Sequence, residues 1–318
     1  MSTRAVLPDS ARPLARPPAA PGGKTARERR RSSVRRNDAR VAAVMLSPAL
    51  IFIVGVALIP VLATIYLSFH DASVASTGSF TGLANYRALL NDPDFTTAAQ
   101  NTAVFTVVSV VLEFALGLAS ALTLHRHFAG RGLTRAAVLV PWAFPVVVSA
   151  LMWRLMLQDQ IGIVAYIAKQ LDVSSGSILS DQTSLMIASI GVDVWKTTPF
   201  MTLLLLAGLQ TIPTEVIDAA RIDGAGPAKN FWYITMPLLR TTIMVALLFR
   251  TLEAWSVYDL FWVMSDQQLE SLSTYVYKAV RISELNFGPG TAAAVLIFVS
   301  SIVIALGFLW LMRKDADE

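Results

Sequence analysis

The stretch DAARIDGAGPAKNFWYITMP, Asp218 to Pro237, is a polar segment in a very hydrophobic chain, and it lies between two long apolar runs. Of the 318 residues, 54% are hydrophobic and only 15% are charged, and the mean hydropathy is +0.56. In soluble domains, about a quarter of all residues are charged. The composition is therefore typical of a protein that crosses a membrane several times. The chain has no cysteine, which excludes disulfides and thiolate chemistry.

The local sequence here predicts two helices around a sharp turn. Thr214 can cap the first helix, and Glu215 places negative charge in its first turn, where the helix dipole favours it. Gly224 permits the left-handed conformation that ends many helices, and Pro227 suits the first residue of the next one. We therefore expect a first helix over about residues 214–223 and a second one that runs into the following apolar segment.

The first of these helices can serve as a contact surface. Ala219 and Ala220 lack bulk, so the backbone of a partner can approach closely. Asp218, Arg221 and Asp223 can supply polar contacts around them. An ordinary amphipathic helix at the membrane surface would fit the same pattern, and shape alone does not separate the two interpretations.

Six segments are long and apolar enough to cross a bilayer, which takes about 20 residues. These segments are roughly residues 41–69, 99–124, 133–157, 184–210, 237–260 and 290–312. In the third segment, Pro141 and Pro145 predict a distorted helix, because proline removes a backbone donor. The expected fold class is an all-α membrane protein with six transmembrane helices, with the polar stretch between helices 4 and 5 and a short tail at 313–318.

Residues 1–40 have the composition of a disordered basic tail. Eleven of the 26 Lys and Arg residues lie there, among many Pro, Ala, Gly and Ser residues. Because the last arginines adjoin an apolar helix, attraction to anionic lipid headgroups accounts for them, and no nucleic-acid partner is expected. The tail also contains GGKT at Gly22 to Thr25, but Pro18 stands where a phosphate loop needs its first glycine. No ATP site is predicted in this chain.

Charge in the connecting loops predicts the orientation in the membrane. Lys and Arg concentrate in the N-terminal tail, in residues 125–135, around the opening stretch and at the C-terminal end, whereas the alternate loops at 70–98, 158–183 and 261–289 carry few. Positive loops are retained on the cytoplasmic side. Both termini and the stretch from Asp218 to Pro237 are therefore expected in the cytoplasm.

The opening stretch resembles the EAA loop of ABC-importer permeases, and the resemblance places that loop at residues 214–237. The family motif is an acidic residue followed by two alanines, then a glycine, and later I-x-x-P. Its residues here are Asp218, Ala219, Ala220, Gly224, Ile234 and Pro237. The flanking sequences, LLLLAGLQTIPTEVIDAARIDGAG and TLEAWSVYDLFWVMS, resemble the sugar importers of the maltose and trehalose type. The resemblance covers about residues 41–312. Asp218 departs from the usual Glu, which shortens the reach of the carboxylate.

The resemblance implies a role in transport without covalent chemistry in this chain. It implies an inner-membrane permease subunit that pairs with a second six-helix permease and with a dimer of ATP-binding subunits, which hold ATP and Mg²⁺. It also implies an extracytoplasmic sugar-binding protein or lipoprotein that delivers a di- or oligosaccharide, with trehalose as the expected sugar. The residues expected to couple the permease to the ATPase are Glu215, Asp218, Ala219, Ala220, Arg221, Asp223, Gly224 and Pro237.

Ionisable residues inside the predicted spans are costly and are candidates for function. Glu113 is central in the second span, while Asp193 and Lys196, and Arg250 and Glu253, are pairs three residues apart on one helix face. These residues either pair to hold the bundle together or line the sugar path. Both interpretations remain open at this level.

Aromatic residues supply further candidates for the sugar path, because their faces stack on the C–H surfaces of sugars. Trp255, Tyr258, Asp259 and Trp262 would form one stripe on a continuous fifth helix, although an aromatic belt at the membrane interface also accounts for the outer two aromatics. The full set of candidate path residues is Glu113, Trp153, Asp193, Trp195, Glu253, Trp255, Tyr258 and Asp259.

Two other classes of function fit the composition. An ion-driven secondary transporter would use Glu113, Asp193 or Glu253 for protons and would be expected to show an inverted repeat. A membrane enzyme such as a lipid-sugar transferase would need acids or a metal site converging at one membrane face, and no acid cluster with that spacing appears.

Overall fold

The computed structural model describes residues 41–73, 76–171, 178–283 and 287–316, and within these ranges the regular structure is helical apart from isolated β-bridge residues, among them the pair His70 and Phe80. The predicted tail at 1–40 lies outside the described residues. The helices are α1 Val41–Ser68, α2 Ala84–Leu90, α3 Pro93–His125, α4 Arg131–Ala143, α5 Val146–Leu157, α6 Ile163–Gln170, α7 Gln182–Gln210, α8 Thr214–Ile222, α9 Pro227–Trp255, α10 Asp259–Met264, α11 Leu272–Lys278 and α12 Phe287–Ala316.

The chain divides into two compact units at Pro60. The first unit, described from Val41, is an apolar helical segment that includes a π-helical stretch at Ile53–Leu58. The second unit begins at Val61 and contains all the residues considered as candidate sites below.

Helices α1, α3, α7, α9 and α12 are each long and apolar enough to cross a membrane. A sixth span exists if α4 and α5 are counted together, but they meet at 91° rather than forming the single helix predicted over 133–157. Phe144 between them is extended because Pro145 follows it, and Pro145 has no N–H to continue the helix. The predicted distortion is confirmed, and it takes the form of a sharp break between two helices.

The remaining bounds differ from the sequence estimates at their ends. Helix α3 starts at Pro93, where Oδ1 of Asp92 accepts the N–H of Asp94 at 2.9 Å and caps it. Helix α9 starts ten residues before Pro237, passes through a π-helical stretch at Phe231–Thr235, and ends at Trp255 rather than at residue 260. Helix α12 continues to Ala316, so the first residues of the predicted C-terminal tail are helical.

Helices α3 and α7 run parallel and pack closely. Glu113 contacts Thr197, and four residues further along both helices Gly117 faces Met201. A Cβ on Gly117 would lie 2.6 Å from Cγ of Met201, so only glycine allows this approach. Helix α9 packs against α7 in the opposite direction, with Arg250 near Asp193 and Thr242 near Gly208. These three helices form the frame that carries both candidate sites.

Candidate functional site

The loop between α7 and α9 is a structured helix-turn-helix. Its first helix is α8, and Pro213 rather than Thr214 is the residue before it, so the predicted Thr214 cap is wrong: Thr214 is already helical. The predicted turn at Gly224 is confirmed, with φ of +82°. The N–H of Ala225 donates to the carbonyl of Ala220 at 2.9 Å, which is the bond expected where a left-handed glycine ends a helix.

Helix α8 exposes most of its side chains. Nη1 of Arg221 donates to Oδ1 of Asp218 at 3.1 Å, and these side chains are 68% and 62% exposed. An exposed pair of this kind is worth about 0–1 kcal/mol, so Asp218 is free to exchange Arg221 for another partner. Ile222 at the end of the helix is 86% exposed. The helix thus offers a small apolar surface with an exchangeable charge pair on it.

Helix α8 is anchored to the three-helix frame on its other side. Ala220 is buried, and Ile217 packs against the apolar cluster that contains Ala121 of α3, Leu205 of α7 and Leu239 of α9. Helix α8 is therefore in contact with an apolar cluster that all three helices share. Three other predicted coupling residues of the loop are exposed, namely Glu215, Ala219 and Asp223. Pro237, which directly follows the π-helical stretch of α9 and Met236, is exposed as well.

A buried charge cluster joins the same three helices deeper in the bundle. Nε of Arg250 donates to Oε2 of Glu113, and its Nη2 donates to Oε1 of Glu113 at 2.9 Å and to Oδ2 of Asp193. The hydroxyl of Thr197 donates to Oε1 of Glu113 at 2.5 Å. The Arg250 side chain is 2% exposed and that of Glu113 is 0% exposed. One guanidinium thus bridges two buried carboxylates from two other helices.

The charged pairs expected within single helices form only in part. Arg250 does reach Glu253 on its own helix, with 3.4 Å between Nη1 and Oε2, and Glu253 is 62% exposed. Asp193 pairs with Arg250 across helices instead of with Lys196. Lys196 is buried and has no ion pair with any residue that the structure describes. Because Glu253 is largely exposed and also contacts the buried Arg250, it connects the buried cluster to the surface of the chain.

The aromatic candidates fall into separate groups. The rings of Trp153 and Trp195 meet edge to face with 5.5 Å between their centroids, and Trp153 packs against the apolar cluster containing Phe105. Trp255 is partly buried, and its Nε1 donates to Oγ of Ser300 on α12 at 2.8 Å. Each of these tryptophans therefore has a packing role within the chain.

The predicted stripe from Trp255 to Trp262 is wrong. Helix α9 ends at Trp255, and the backbone of Tyr258 is not helical, with φ of −129° and ψ of −64°. Tyr258 instead stacks on Trp262 at 5.9 Å, and Tyr277 meets Trp262 edge-on at 4.9 Å. Asp259 is exposed at the start of α10.

Thr197 and Tyr277 were not identified from the sequence. Thr197 lies four residues after Asp193 on the same helix face, so its position beside the charge cluster could have been found from that spacing. Tyr277 is distant in sequence from Tyr258 and Trp262, and no local signal connects them.

Comparison with known proteins supports a single family. Residues 113–314 match the model described as the inner membrane component of binding-protein-dependent transport systems. The chain belongs to this family. The matched region contains the helix-turn-helix between α7 and α9 and every residue of the buried charge cluster.

Curated relatives extend the match over most of this permease. It is 37% identical over 90% of its length to the trehalose/maltose transport system permease protein MalF of Thermococcus litoralis, covering 98% of that protein. It is also 37% identical over 90% of its length to the trehalose transport system permease protein SugA of Mycobacterium tuberculosis, covering 93% of that protein. A sulfoquinovosyl glycerol transport system permease protein, SmoG of Agrobacterium fabrum, is 33% identical over 87% of the chain and 92% of that protein.

A solved structure shows that the fold of the permease is shared. The chain superposes on a subunit from a bacterial alginate ABC transporter, solved with an alginate pentasaccharide-bound periplasmic protein, with a TM-score of 0.77. The match covers 89% of this chain and 96% of the other at 20% identity. The predicted all-helical permease fold is thus confirmed.

Proposed function

We propose that this permease imports a di- or oligosaccharide, with trehalose as the first candidate, as one subunit of an ABC importer. It pairs with a second six-helix permease, and a separate dimer of ATP-binding subunits holds ATP and Mg²⁺. An extracytoplasmic sugar-binding protein or lipoprotein delivers the sugar. Both termini and α8 face the cytoplasm. The chain itself catalyses no reaction.

The exposed helix α8 is the observation that carries this proposal. Its small, exposed surface around Ala219 fits a cleft in a partner, and its buried side is fixed to the frame of α3, α7 and α9. Asp218 and Arg221 provide polar contacts at the rim, and Ile222 provides an apolar one. Movement of an ATPase subunit against α8 would shift the inner ends of the three helices together.

The buried charge cluster supports a path for the sugar along α9. Glu253 is exposed next to Arg250, so its carboxylate is available to hydroxyl groups, while Glu113 and Asp193 hold Arg250 in place. In this proposal Glu253 and Asp259 contact the sugar through hydrogen bonds. Trp153, Trp195, Trp255 and Tyr258 line or support the path through their rings. The names of the curated relatives favour trehalose, and SmoG shows that relatives of similar identity are named for other cargo.

Transport by the reconstituted complex tests the proposal. The complex is placed in proteoliposomes with ATP on the side of the ATPase subunits, and uptake of labelled trehalose is compared with that of labelled maltose. We expect uptake that requires both ATP and the binding protein and that is faster for trehalose. Faster uptake of maltose would correct the sugar while retaining the class of transporter.

The same vesicles separate an importer driven by ATP from one driven by ions. A protonophore collapses a proton gradient without consuming the enclosed ATP, so uptake is expected to continue in its presence. Uptake that needs no ATP and stops with the protonophore would overturn the proposal in favour of proton-coupled transport through Glu113, Asp193 or Glu253.

A further inference from the structure

Five basic or potentially basic side chains cluster where α3 ends and α4 begins. They are His125, Arg126, His127, Arg131 and Arg135, here called the basic corner. Arg131 and Arg135 lie one turn apart on α4, and Nη2 of Arg135 reaches the carbonyl of Leu124, the residue before His125, at 3.3 Å, so these groups lie close together. Like charges held at short range repel one another. The corner therefore needs an opposite charge that the described part of the chain does not provide.

The hydrogen bonding of the basic corner is also incomplete. Nε of Arg131, Nε of Arg135 and Nδ1 of His125 are shielded from solvent and have no hydrogen-bond partner within the described part of the chain. Among the described residues, no carboxylate forms an ion pair with Arg126, Arg131 or Arg135. The one side-chain bond here runs from Nη2 of Arg135 to the carbonyl of Leu124 at 3.3 Å.

Unpaired cationic donors shielded from water are costly, and an anion with several oxygens removes that cost. Arginine binds phosphate with two parallel N–H···O bonds, because its planar group matches the spacing of phosphate oxygens. A phosphate group is thus the ligand chemistry that fits the basic corner.

The surroundings of the corner identify the source of that phosphate. Leu124, beside the corner, packs in the same apolar cluster as Leu209 near the end of α7, so the corner lies at the end of the bundle that carries α8. Apolar side chains next to the corner are exposed, with Leu133 at 79% and Phe128 at 40%. A basic cluster bordered by exposed apolar side chains at the end of a membrane bundle matches a lipid, with its phosphate at the cluster and its acyl chains beside it.

We propose that the basic corner binds the phosphate of an anionic membrane phospholipid. Arg131 and Arg135 hold the phosphate oxygens, and His125 adds a third donor. Phe128 and Leu133 contact the upper part of the acyl chains. The lipid neutralises the corner and fixes the junction between α3 and α4.

Native mass spectrometry of the purified full chain tests this proposal. The chain in non-ionic detergent is titrated with phosphatidylglycerol or with phosphatidylcholine of the same acyl chains, and the bound fractions are compared. The variant R131Q/R135Q removes the two arginines. The variant R313Q/K314Q is the matched control, because it removes two exposed positive charges near the end of α12.

We expect the wild-type chain and the control to retain phosphatidylglycerol in preference to phosphatidylcholine. Each Arg near a membrane surface contributes roughly a factor of five in affinity, so R131Q/R135Q should bind phosphatidylglycerol roughly 25-fold more weakly. Equal retention of the two lipids by the wild type, or unchanged retention by R131Q/R135Q, would overturn the proposal.

Two further arms complete the test. Inorganic phosphate is added at the same concentration as the lipid, and displacement of phosphatidylglycerol by it would show that the ligand is free phosphate instead. If R131Q/R135Q aggregates on size-exclusion chromatography, R131K/R135K replaces it. Lysine keeps the charge but loses the planar pair of donors, so weaker retention than in the wild type is still expected, and full retention would contradict the assignment to these arginines.

Discussion

Replacing Arg250 with methionine tests whether the buried charge cluster holds α3, α7 and α9 together. Methionine keeps an unbranched apolar stem but removes the guanidinium. Glu113 and Asp193 then remain buried with no cation between them, because Arg250 is the residue that bridges both. The carboxylates would repel each other across the interface of α3 and α7.

The burial of these groups sets the size of the effect. Arg250 is 2% exposed and Glu113 is 0% exposed, and removing one partner of a buried ion pair costs about 3–5 kcal/mol. Glu253 offers a matched control, because it contacts the same Arg250 but is 62% exposed. Removing its charge by E253Q should cost about 0–1 kcal/mol. The free energy of unfolding of a whole domain is only about 5–15 kcal/mol. R250M should therefore lower the stability far more than E253Q does.

Thermal unfolding of the purified chain in detergent measures this difference. We expect R250M to unfold at a clearly lower temperature than E253Q, which should resemble the wild type. The triple variant E113Q/D193N/R250M removes all three charges and should recover much of the loss, because replacing a buried charge network by neutral groups is far less costly than leaving it unbalanced. Equal unfolding temperatures for R250M and E253Q would refute the reasoning, as would a triple variant less stable than R250M.

Two further predictions concern helix packing and the contact of α11 with the start of α3. Gly208→Ala should destabilise the chain, because its Cβ would lie 2.7 Å from Cγ2 of Thr242 and overpacking costs about 1–3 kcal/mol. Gly191→Ala on the same helix is the control. Its Cβ would meet nothing within 4 Å, so it should be neutral or slightly stabilising in the same unfolding assay. Tyr275→Phe should lower the unfolding temperature, because the hydroxyl of Tyr275 donates to Oδ2 of Asp92 at 2.5 Å. Burial and the Asp92 carboxylate raise the pKa of Tyr275. The stability that its hydroxyl contributes is therefore complete below about pH 10 and is lost as the pH rises further. A wild type that loses no more stability than Tyr275→Phe above that pH would contradict this.

Local features of the sequence predicted the helix-turn-helix between α7 and α9 well. Gly224 and Pro227 act through their own backbone geometry, which needs no knowledge of the rest of the fold. The sharp bend at Pro145 belongs to the same class, since proline disrupts a helix wherever it stands in the bundle.

Features set by distant contacts could not be predicted in this way. The break after Trp255 contains neither glycine nor proline, and the carbonyl of Val257 accepts a hydrogen bond from Oγ of Ser271 at 2.6 Å, fourteen residues away. Helical periodicity alone predicted a helix that continues through this break, and this produced the wrong prediction of one stripe from Trp255 to Trp262. Arg250 likewise has a near neighbour in sequence, Glu253, but its shortest bonds cross to two other helices.

The central claim is that α8 couples sugar transport to ATP hydrolysis, and sugar-stimulated ATPase activity of the reconstituted complex tests it most directly. Asp218→Lys reverses the exposed charge, and Gly224→Val places a β-branched residue at φ of +82°, which costs about 1–2 kcal/mol at the end of α8. Gly226→Val is the control, because Gly226 has an ordinary φ of −68° and open space around it. We predict that Asp218→Lys and Gly224→Val insert normally but lose sugar-stimulated hydrolysis, while Gly226→Val retains it. Wild-type stimulation in both Asp218→Lys and Gly224→Val would contradict the account.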